Sequence, residues 1–408
     1  MGIFREFPPT AGFSIKIKDL LLAFFKKTTK EENLENDFCK YLGTNYVRIT
    51  NSGTVALYLI LETLKEISSK KTVIIPAYTC PLVVLAIKKA NLNIEICDIQ
   101  KDNFNFDFCE LEKLCSNRND ILAILAIHLG GIPLDFDYIK SIADKYNIFI
   151  IEDCAQALGA LYKNKKVGTL GDFSFFSLAR GKGLTIYEGG VIVTKNFNYG
   201  MIIDKKIKAF LKTKIFPEIF KIFELIGYAI FYRPVFFWFV FKFPQIFWKL
   251  QKKYIKAYGE EFSLDFPIHK VSNFRKKLGH ILFLKLEKEI EKQRKKALHL
   301  IRGLEKLKGL TIIKEPIYAK ATYPYLSVIF KNFSKEEILD KLDNLGLGVS
   351  WIYACSIVDY PYLKNFINYK DVPNAKNLAN RVVTFSTNTF LSKKELDKVL
   401  EKVANVLK

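Results

Sequence analysis

Ile148-Phe-Ile-Ile-Glu-Asp153-Cys-Ala-Gln156, followed after a short gap by Gly171-Asp-Phe-Ser-Phe-Phe-Ser177-Leu-Ala-Arg-Gly-Lys182-Gly-Leu-Thr-Ile-Tyr-Glu188-Gly189-Gly190, decides the fold. A short apolar run rich in β-formers ends in an acid, Asp153, and Gln156 comes just after it. Lys182 then stands between two glycines, ahead of a second apolar run, Val191-Ile-Val-Thr194. That order predicts a ligand held at the carboxyl edge of a parallel sheet, where strand ends deliver their side chains into one crevice.

The chain upstream has the same rhythm. Tyr46-Val-Arg-Ile-Thr50 reads as a strand that reaches Asn51-Ser-Gly-Thr54 and then the apolar helical run from Val55. A helix opening on Ser-Gly-Thr presents free N–H groups and a positive dipole end, which suits a phosphate; the alternative is an ordinary Ser cap with no ligand. Thr72–Pro76 reads as a strand, Cys80-Pro81 opens a helix through Lys89, and a strand follows at Ile94–Asp98. Ile121-Leu-Ala-Ile-Leu-Ala-Ile-His128 is the unbroken apolar run of a strand buried on both faces. Gly130-Gly131-Ile-Pro133 breaks the chain and Asp135 to Tyr146 reads as a helix, so repeated βα winding predicts a largely parallel sheet with right-handed crossovers. Ile17 to Phe25 and Glu31 to Leu42 read as two entry helices.

With 408 residues, half of them hydrophobic, the chain is long enough for a large domain with a smaller appendage. The seven cysteines form no Cys-x-x-Cys pair and several lie in apolar runs, which indicates a reducing cytosol. None of the four histidines is spaced for joint metal ligation, so no metal is expected. The formal charge of +21 suits nucleic acid, an anionic membrane face or polyanionic small molecules. Lysines that alternate with carboxylates and the lack of any nucleic-acid-binding motif argue against nucleic acid. The start, Met1 to Pro9, is a poor signal peptide.

Beyond Asn198 the character changes. Residues 215 to 250 are dense in Phe, Ile, Tyr and Trp with lysines at both ends, and Glu224, Arg233-Pro234 and Lys242-Phe-Pro interrupt them. A spanning helix needs roughly 20 uninterrupted apolar residues, so an interfacial helical hairpin with a basic fringe, touching a membrane peripherally, is expected; packing on a partner subunit or on the enzyme body is the alternative. Lys276 to Leu307 reads as one long connector helix. A strand at Ser327–Lys331, a helix from Ser334 to Asn344, strands at Ser350–Tyr353 and Arg381–Phe385, and a helix from Lys393 to Leu407 describe a small α+β domain. The expected division is a large α/β domain over 1–200, an aromatic helical insert over 201–260, a connector over 261–310 and the small C-terminal domain over 311–408.

Asp153, Gln156, Ser177 and Lys182 make chemical sense together as a pyridoxal phosphate (PLP) site. Such a site needs an amine that forms a Schiff base, and a lysine among apolar residues and glycines is depressed in pKa by desolvation. It needs a carboxylate, here Asp153, to keep the pyridine nitrogen protonated, because the pyridinium is the electron sink. Small donors and helix-end amides at Gly53, Thr54 and Ser177 suit the phosphate.

The chain resembles the DegT/DnrJ/StrS family of PLP-dependent sugar aminotransferases, which have the aspartate aminotransferase-like fold (fold type I). The resemblance lies in Asn51-Ser-Gly-Thr-Val-Ala-Leu, Ile75-Pro-Ala-Tyr-Thr79, His128-Leu-Gly-Gly, Ile151-Glu-Asp-Cys-Ala-Gln156, Val167-Gly-Thr-Leu-Gly-Asp-Phe-Ser-Phe-Phe-Ser177 and Lys182 to Gly190. It implies a large domain with a mostly parallel seven-stranded sheet and a small α+β domain. Lys182 is then the Schiff-base lysine and proton shuttle, Asp153 the partner of the ring nitrogen, and Gln156 a neighbour of the ring's 3-oxygen, with Ser177, Gly53 and Thr54 at the phosphate. It further implies glutamate or glutamine as donor, a keto sugar on a nucleotide as acceptor, and a homodimer.

Three positions depart from the family pattern. Cys80 stands where an aromatic commonly stacks on the cofactor ring, with Tyr78 as the substitute candidate; Ile268 stands where an asparagine commonly reaches the other subunit's cofactor; and Arg180, in Leu-Ala-Arg-Gly, replaces a different motif and is, with His128, a candidate substrate contact. Two rival readings remain: a PLP sugar dehydratase, disfavoured because Lys182 stands where the family's dehydratases carry histidine, and a regulatory or scaffolding protein docked to a membrane glycan-assembly system.

Overall fold

The computed structural model describes all residues except 1–4, 28, 30, 252, 253, 258 and 343–345. Its large sheet has seven strands: β1 (Tyr46–Thr50), β2 (Thr72–Pro76), β3 (Asn93–Cys97), β4 (Ile121–Ile127), β5 (Phe149–Asp153), β6 (Phe173–Ser177) and β7 (Gly190–Thr194), in the order β1-β7-β6-β5-β4-β2-β3. Pairing is parallel from β6 across to β3, and only β7 runs against its neighbours. All seven residues of β4 are buried, as its unbroken apolar run requires of a central strand covered by helices on both faces. The chain leaves β2 toward β3 on one side and β4 toward β5 on the other, which puts a topological switch between the carboxyl ends of β2 and β4, and ligands of doubly wound sheets sit at such points.

Helices cover the sheet where the sequence places them. Ser52 caps the helix Gly53–Ile67 by accepting from the Val55 N–H at 3.1 Å, and Pro81 opens the helix Pro81–Lys89 at the position where its missing N–H costs nothing. The entry helices span Ile17–Phe25 and Leu34–Leu42. Helix Phe197–Phe210 lies on the large domain, its Phe210 ring 5.5 Å from that of Tyr58. The aromatic stretch then forms helices Ile215–Phe231 and Pro234–Phe237, a π-helical turn Trp238–Lys242, and helix Phe243–Leu250. No described helix is long and apolar enough to cross a membrane.

The small domain is built on a three-stranded antiparallel sheet, Leu310–Ile312, Tyr325–Phe330 and Val382–Ser386, with Tyr325–Phe330 central. Two expectations change here. The connector is two helices, Asn273–Phe283 and Leu286–Leu304, broken at Leu284–Lys285 where no glycine or proline marks the turn. Ser350–Tyr353 makes a single bridge, Ser350 to Thr384, and continues as a loop because its chain turns toward the large domain. A further helix, Pro373–Arg381, stands where the sequence reading placed no element, with proline in its first turn. The predicted helix at Ser334 is present as Lys335–Leu342, and its expected end at Asn344 lies outside the described residues, as do the first four residues of the N-terminal reading.

Residues 5 to 15 run as a strap across both domains. The Phe13 N–H donates to the Lys182 carbonyl at 3.1 Å, Ala11 to the Pro324 carbonyl at 2.7 Å, and the Ser386 hydroxyl to the Pro8 carbonyl at 2.6 Å. The start of the chain thereby holds the lysine loop against the small domain.

Candidate active site

The carboxyl ends of β4, β5 and β6 deliver His128, Asp153 and Ser177 to one place, and the N-terminus of helix Gly53–Ile67 points there from the other side. With the loop that follows β6 they enclose a cavity of about 210 Å³. Its walls carry Gly53, Thr54, Cys80, Asp153, Gln156, Ser177 and Lys182 together. A Cβ added to Gly53 would lie 3.3 Å from the Ser177 Cβ, so the helix end and the serine approach closely enough for one small anion to touch both.

Burial sets the protonation of this cavity. It pushes Asp153 up to about 6 against the pull of the Ala155 N–H, which donates to its Oδ1 at 2.9 Å, and of the nearby Lys182. It pushes the Lys182 amine below the ordinary lysine range, with Cys80 and Asp153 acting in the opposite direction. Although part of the Lys182 residue stays open to the cavity, its amine has no hydrogen bond or ion pair among the described residues. Cys80 is pushed up to about 11 by the same burial, so the cavity wall there is a neutral thiol.

A second layer of hydrogen bonds fixes these side chains. Glu152, fully buried behind Asp153, accepts from the N–H groups of Gly168 at 2.7 Å, Leu170 at 2.7 Å and Gly171 at 2.8 Å. It also pairs with His128 Nε2 at 3.1 Å, while His128 Nδ1 accepts from the Leu134 N–H at 3.2 Å, which makes the imidazole a neutral Nε2–H tautomer. Gln156 Oε1 accepts from the Gly130 N–H at 2.8 Å and from the Tyr325 hydroxyl, which leaves its NH2 group as the free end. The Tyr325 bond joins the site to the small domain.

The structure brings most of the sequence candidates together and separates two. Tyr78 stands behind the wall: its hydroxyl donates to the Tyr353 carbonyl at 3.3 Å and accepts from the Tyr353 N–H at 3.2 Å, so its ring supports the loop and leaves the cavity face to Tyr353. Arg180 turns away into a neighbouring cavity, its guanidinium 5.3 Å over the Tyr187 ring. His128 borders the site with both ring nitrogens engaged. Sequence reasoning missed Tyr353 and Glu188, which also line the cavity. Tyr353 comes from the small domain, and no local pattern announces it.

The model of the DegT/DnrJ/EryC1/StrS aminotransferase family matches residues 18–210 and 268–404. The chain belongs to that family. The unmatched gap holds the aromatic helices. Relatives include the UDP-4-amino-4,6-dideoxy-N-acetyl-beta-L-altrosamine transaminase of Campylobacter jejuni serotype O:23/36, 34% identical over 44% of this chain and 46% of that protein. The GDP-perosamine synthase of Escherichia coli O157:H7 is 37% identical over 40% of this chain and 44% of its own. The aligned stretches thus span less than half of these two relatives. The altrosamine transaminase of Campylobacter jejuni serotype O:2 aligns at 27% identity over 88% of this chain and 84% of its own. Among solved structures, Helicobacter pylori PseC, an aminotransferase involved in the biosynthesis of pseudoaminic acid, superposes with a TM-score of 0.77 at 19% identity over 99% of both chains. The PLP form of a sugar aminotransferase from Streptococcus pneumoniae gives 0.74 at 20% identity over 98% of both. Both share this fold of the family: a mostly parallel seven-stranded sheet with a small α+β domain.

Proposed function

We propose that the protein is a PLP-dependent aminotransferase that moves an amino group from glutamate or glutamine to a keto sugar on a nucleotide, in polysaccharide or glycan biosynthesis. The observation that carries this is the unpartnered Lys182 amine, depressed by burial, in one cavity with the Asp153 carboxylate. The cavity fits PLP: an amine for the aldehyde, an acid for the ring nitrogen, and the helix end beside Ser177 for the phosphate. When bound, PLP supplies the electron sink that lets a Cα proton leave and an amino group pass between carbonyl partners.

The chain's own residues do the rest. Lys182, its amine held below the ordinary lysine range by burial, is the base toward a Cα proton and the acid that returns it. Asp153 ionises at about 6, so near neutral pH its carboxylate holds a proton on a facing ring nitrogen. The free NH2 of Gln156 is aimed by its two fixed bonds. The amides at Gly53 and Thr54 with the Ser177 hydroxyl anchor the phosphate. Lys182 also argues against the dehydratase reading.

The family resemblance supports a homodimer, and the unpaired cysteines support a cytoplasmic location. Peripheral contact with the inner membrane face through 215–250 is supported by the exposed rings of Phe216, Phe220 and Phe223 beside lysines of the same region.

Protein reconstituted with PLP is expected to show a visible absorption band that Lys182→Ala abolishes, and glutamate or glutamine should convert the band. A colourless wild type after reconstitution would sink the reading, and a panel of keto sugar nucleotides that return the band to its first form identifies the acceptor.

A further inference from the structure

A second cavity, about 660 Å³, lies on the other side of the lysine loop. Arg180 and Gly181 line it, whereas Ala179 and Lys182 line the smaller one, so the two are separated by the backbone of that loop. Its remaining walls come from the strap at Thr10 and from the insert, chiefly Tyr228, Tyr232, Phe241 and Trp248.

The polar atoms on these walls are already used. The Tyr228 hydroxyl donates to the Phe13 carbonyl at 3.2 Å, the Tyr232 hydroxyl to the Thr10 carbonyl at 3.1 Å, and the Thr10 hydroxyl to the Gly181 carbonyl at 2.9 Å. Glu224 is taken by the Tyr187 hydroxyl at 3.1 Å and by Lys221 at 2.9 Å. With these donors engaged, the wall has little left to read the edge of a base or a ribose. Two cations are different. Arg180 lies over the Tyr187 ring and Lys256 sits 4.4 Å over the Trp248 ring, and among the described residues neither has a hydrogen bond or a carboxylate partner.

The cavity also opens onto an apolar surface. Phe231 and Val240 line it and are nevertheless 44% and 50% exposed, so they form its mouth. Around them Phe236, Phe239, Phe243 and Phe247 are exposed on the elements that follow in the insert. An aromatic cleft with two free cations and an apolar exit matches an anion that carries a long hydrocarbon chain.

We propose that this cavity binds a lipid phosphate, with the phosphate head between Arg180 and Lys256 and the tail leaving over Phe231 and Val240. It turns the peripheral membrane contact into a defined site, and it does not depend on the aminotransferase reading. The site is also wired to the lysine cavity: Lys221 pairs with Glu224 on this wall and with Glu188 on the other, both at 2.9 Å.

The test is calorimetric titration of the full-length protein with farnesyl diphosphate, with dihexanoyl phosphatidylglycerol, with UDP and with inorganic phosphate. At least one of the two lipids is expected to bind about tenfold or more tightly than either UDP or phosphate, and which one binds separates an isoprenoid carrier from a membrane phospholipid. A side chain at Gly227 points into open space, its Cβ meeting nothing nearer than Phe231 at 3.9 Å, so Gly227→Trp fills the cavity without displacing the wall. Gly227→Trp and, separately, Lys256→Ala should each weaken the lipid by about tenfold while leaving the melting curve and the PLP absorption band unchanged. Lipids that bind no better than inorganic phosphate, UDP that binds better than both lipids, or lipid binding indifferent to both variants would overturn the proposal.

Discussion

Arg275, on the first connector helix, is fully buried and grips Glu218 of the first insert helix through the Nε–Nη2 edge of its guanidinium, its Nε 3.0 Å from Oε2. The same guanidinium donates to the carbonyls of Ile186 and Glu188 in the lysine loop. One cation therefore ties together the insert, the connector and the lysine loop.

Removing one partner of this pair leaves the other charge buried. Arg275→Leu is expected to lower the unfolding free energy by about 3–5 kcal/mol, and the double variant with Glu218→Leu to recover much of that loss; urea unfolding of wild type and the two variants measures both. Burial by itself would raise Glu218, and the hydrogen bonds from His269 and Arg275 more than reverse it, so the carboxyl lies below its ordinary 4.5. A depressed acid stabilises the fold above its unfolded pKa and loses that contribution as pH falls through the folded value. Wild type should therefore lose stability below pH 4.5, and the double variant should lose less over the same range.

Glu152 spends both oxygens on four donors, so an amide cannot replace it. Glu152→Gln turns an NH2 toward either two backbone N–H groups or His128 and the Gly168 N–H. The expected loss is about 2–4 kcal/mol, read by urea midpoint, with PLP affinity falling alongside because Asp153 is the adjacent residue.

Asp153 is raised to about 6 by burial, so in the cofactor-free protein the sign is opposite to that of Glu218. A raised acid stabilises below its unfolded pKa and loses that contribution as pH climbs through the folded one. Cofactor-free protein should lose up to ~3 kcal/mol between pH 4 and 6, and Asp153→Asn should flatten that slope. The same variant, reconstituted with PLP, is expected to lose on the order of 100-fold or more in the donor half-reaction, measured by single-turnover absorbance.

Phe216, Phe220 and Phe223 are 85%, 62% and 66% exposed on one helix. Replacing all three by serine should change stability by no more than about 0.5 kcal/mol per site. It should weaken flotation on anionic liposomes by about tenfold or more, since each ring contributes on the order of 1 kcal/mol at an interface. Unchanged flotation would place these rings against protein instead.

The parts of the site that lie near one another in sequence were legible because strand period, helix opening and glycine punctuation are local signals. Asp153 closes a strand, Gln156 lies in the turn after it, Ser52 caps a helix, and Lys182 lies in the loop after β6. The break at Leu284–Lys285 was not legible, since each flank is a good helix and only the meeting of two domains bends the chain there. The strand reading of Ser350–Tyr353 failed for a related reason: β-rich composition measures fit to a pleated surface, and here the surface offered is one residue of Val382–Ser386.

By itself, the sequence determined the winding of the large sheet, the identity of the lysine and the acid at its edge, and the family, because hydrophobic period and short motifs are written within a few residues of each other. Only the tertiary structure decided what surrounds them: that Tyr353 takes the cavity face from Tyr78, that Glu152 and His128 are spent on backbone amides and on each other, and that Arg180 looks into a second cavity built with the insert. Those outcomes depend on which distant groups satisfy a buried donor or acceptor first, and that competition is settled only when the whole chain has packed.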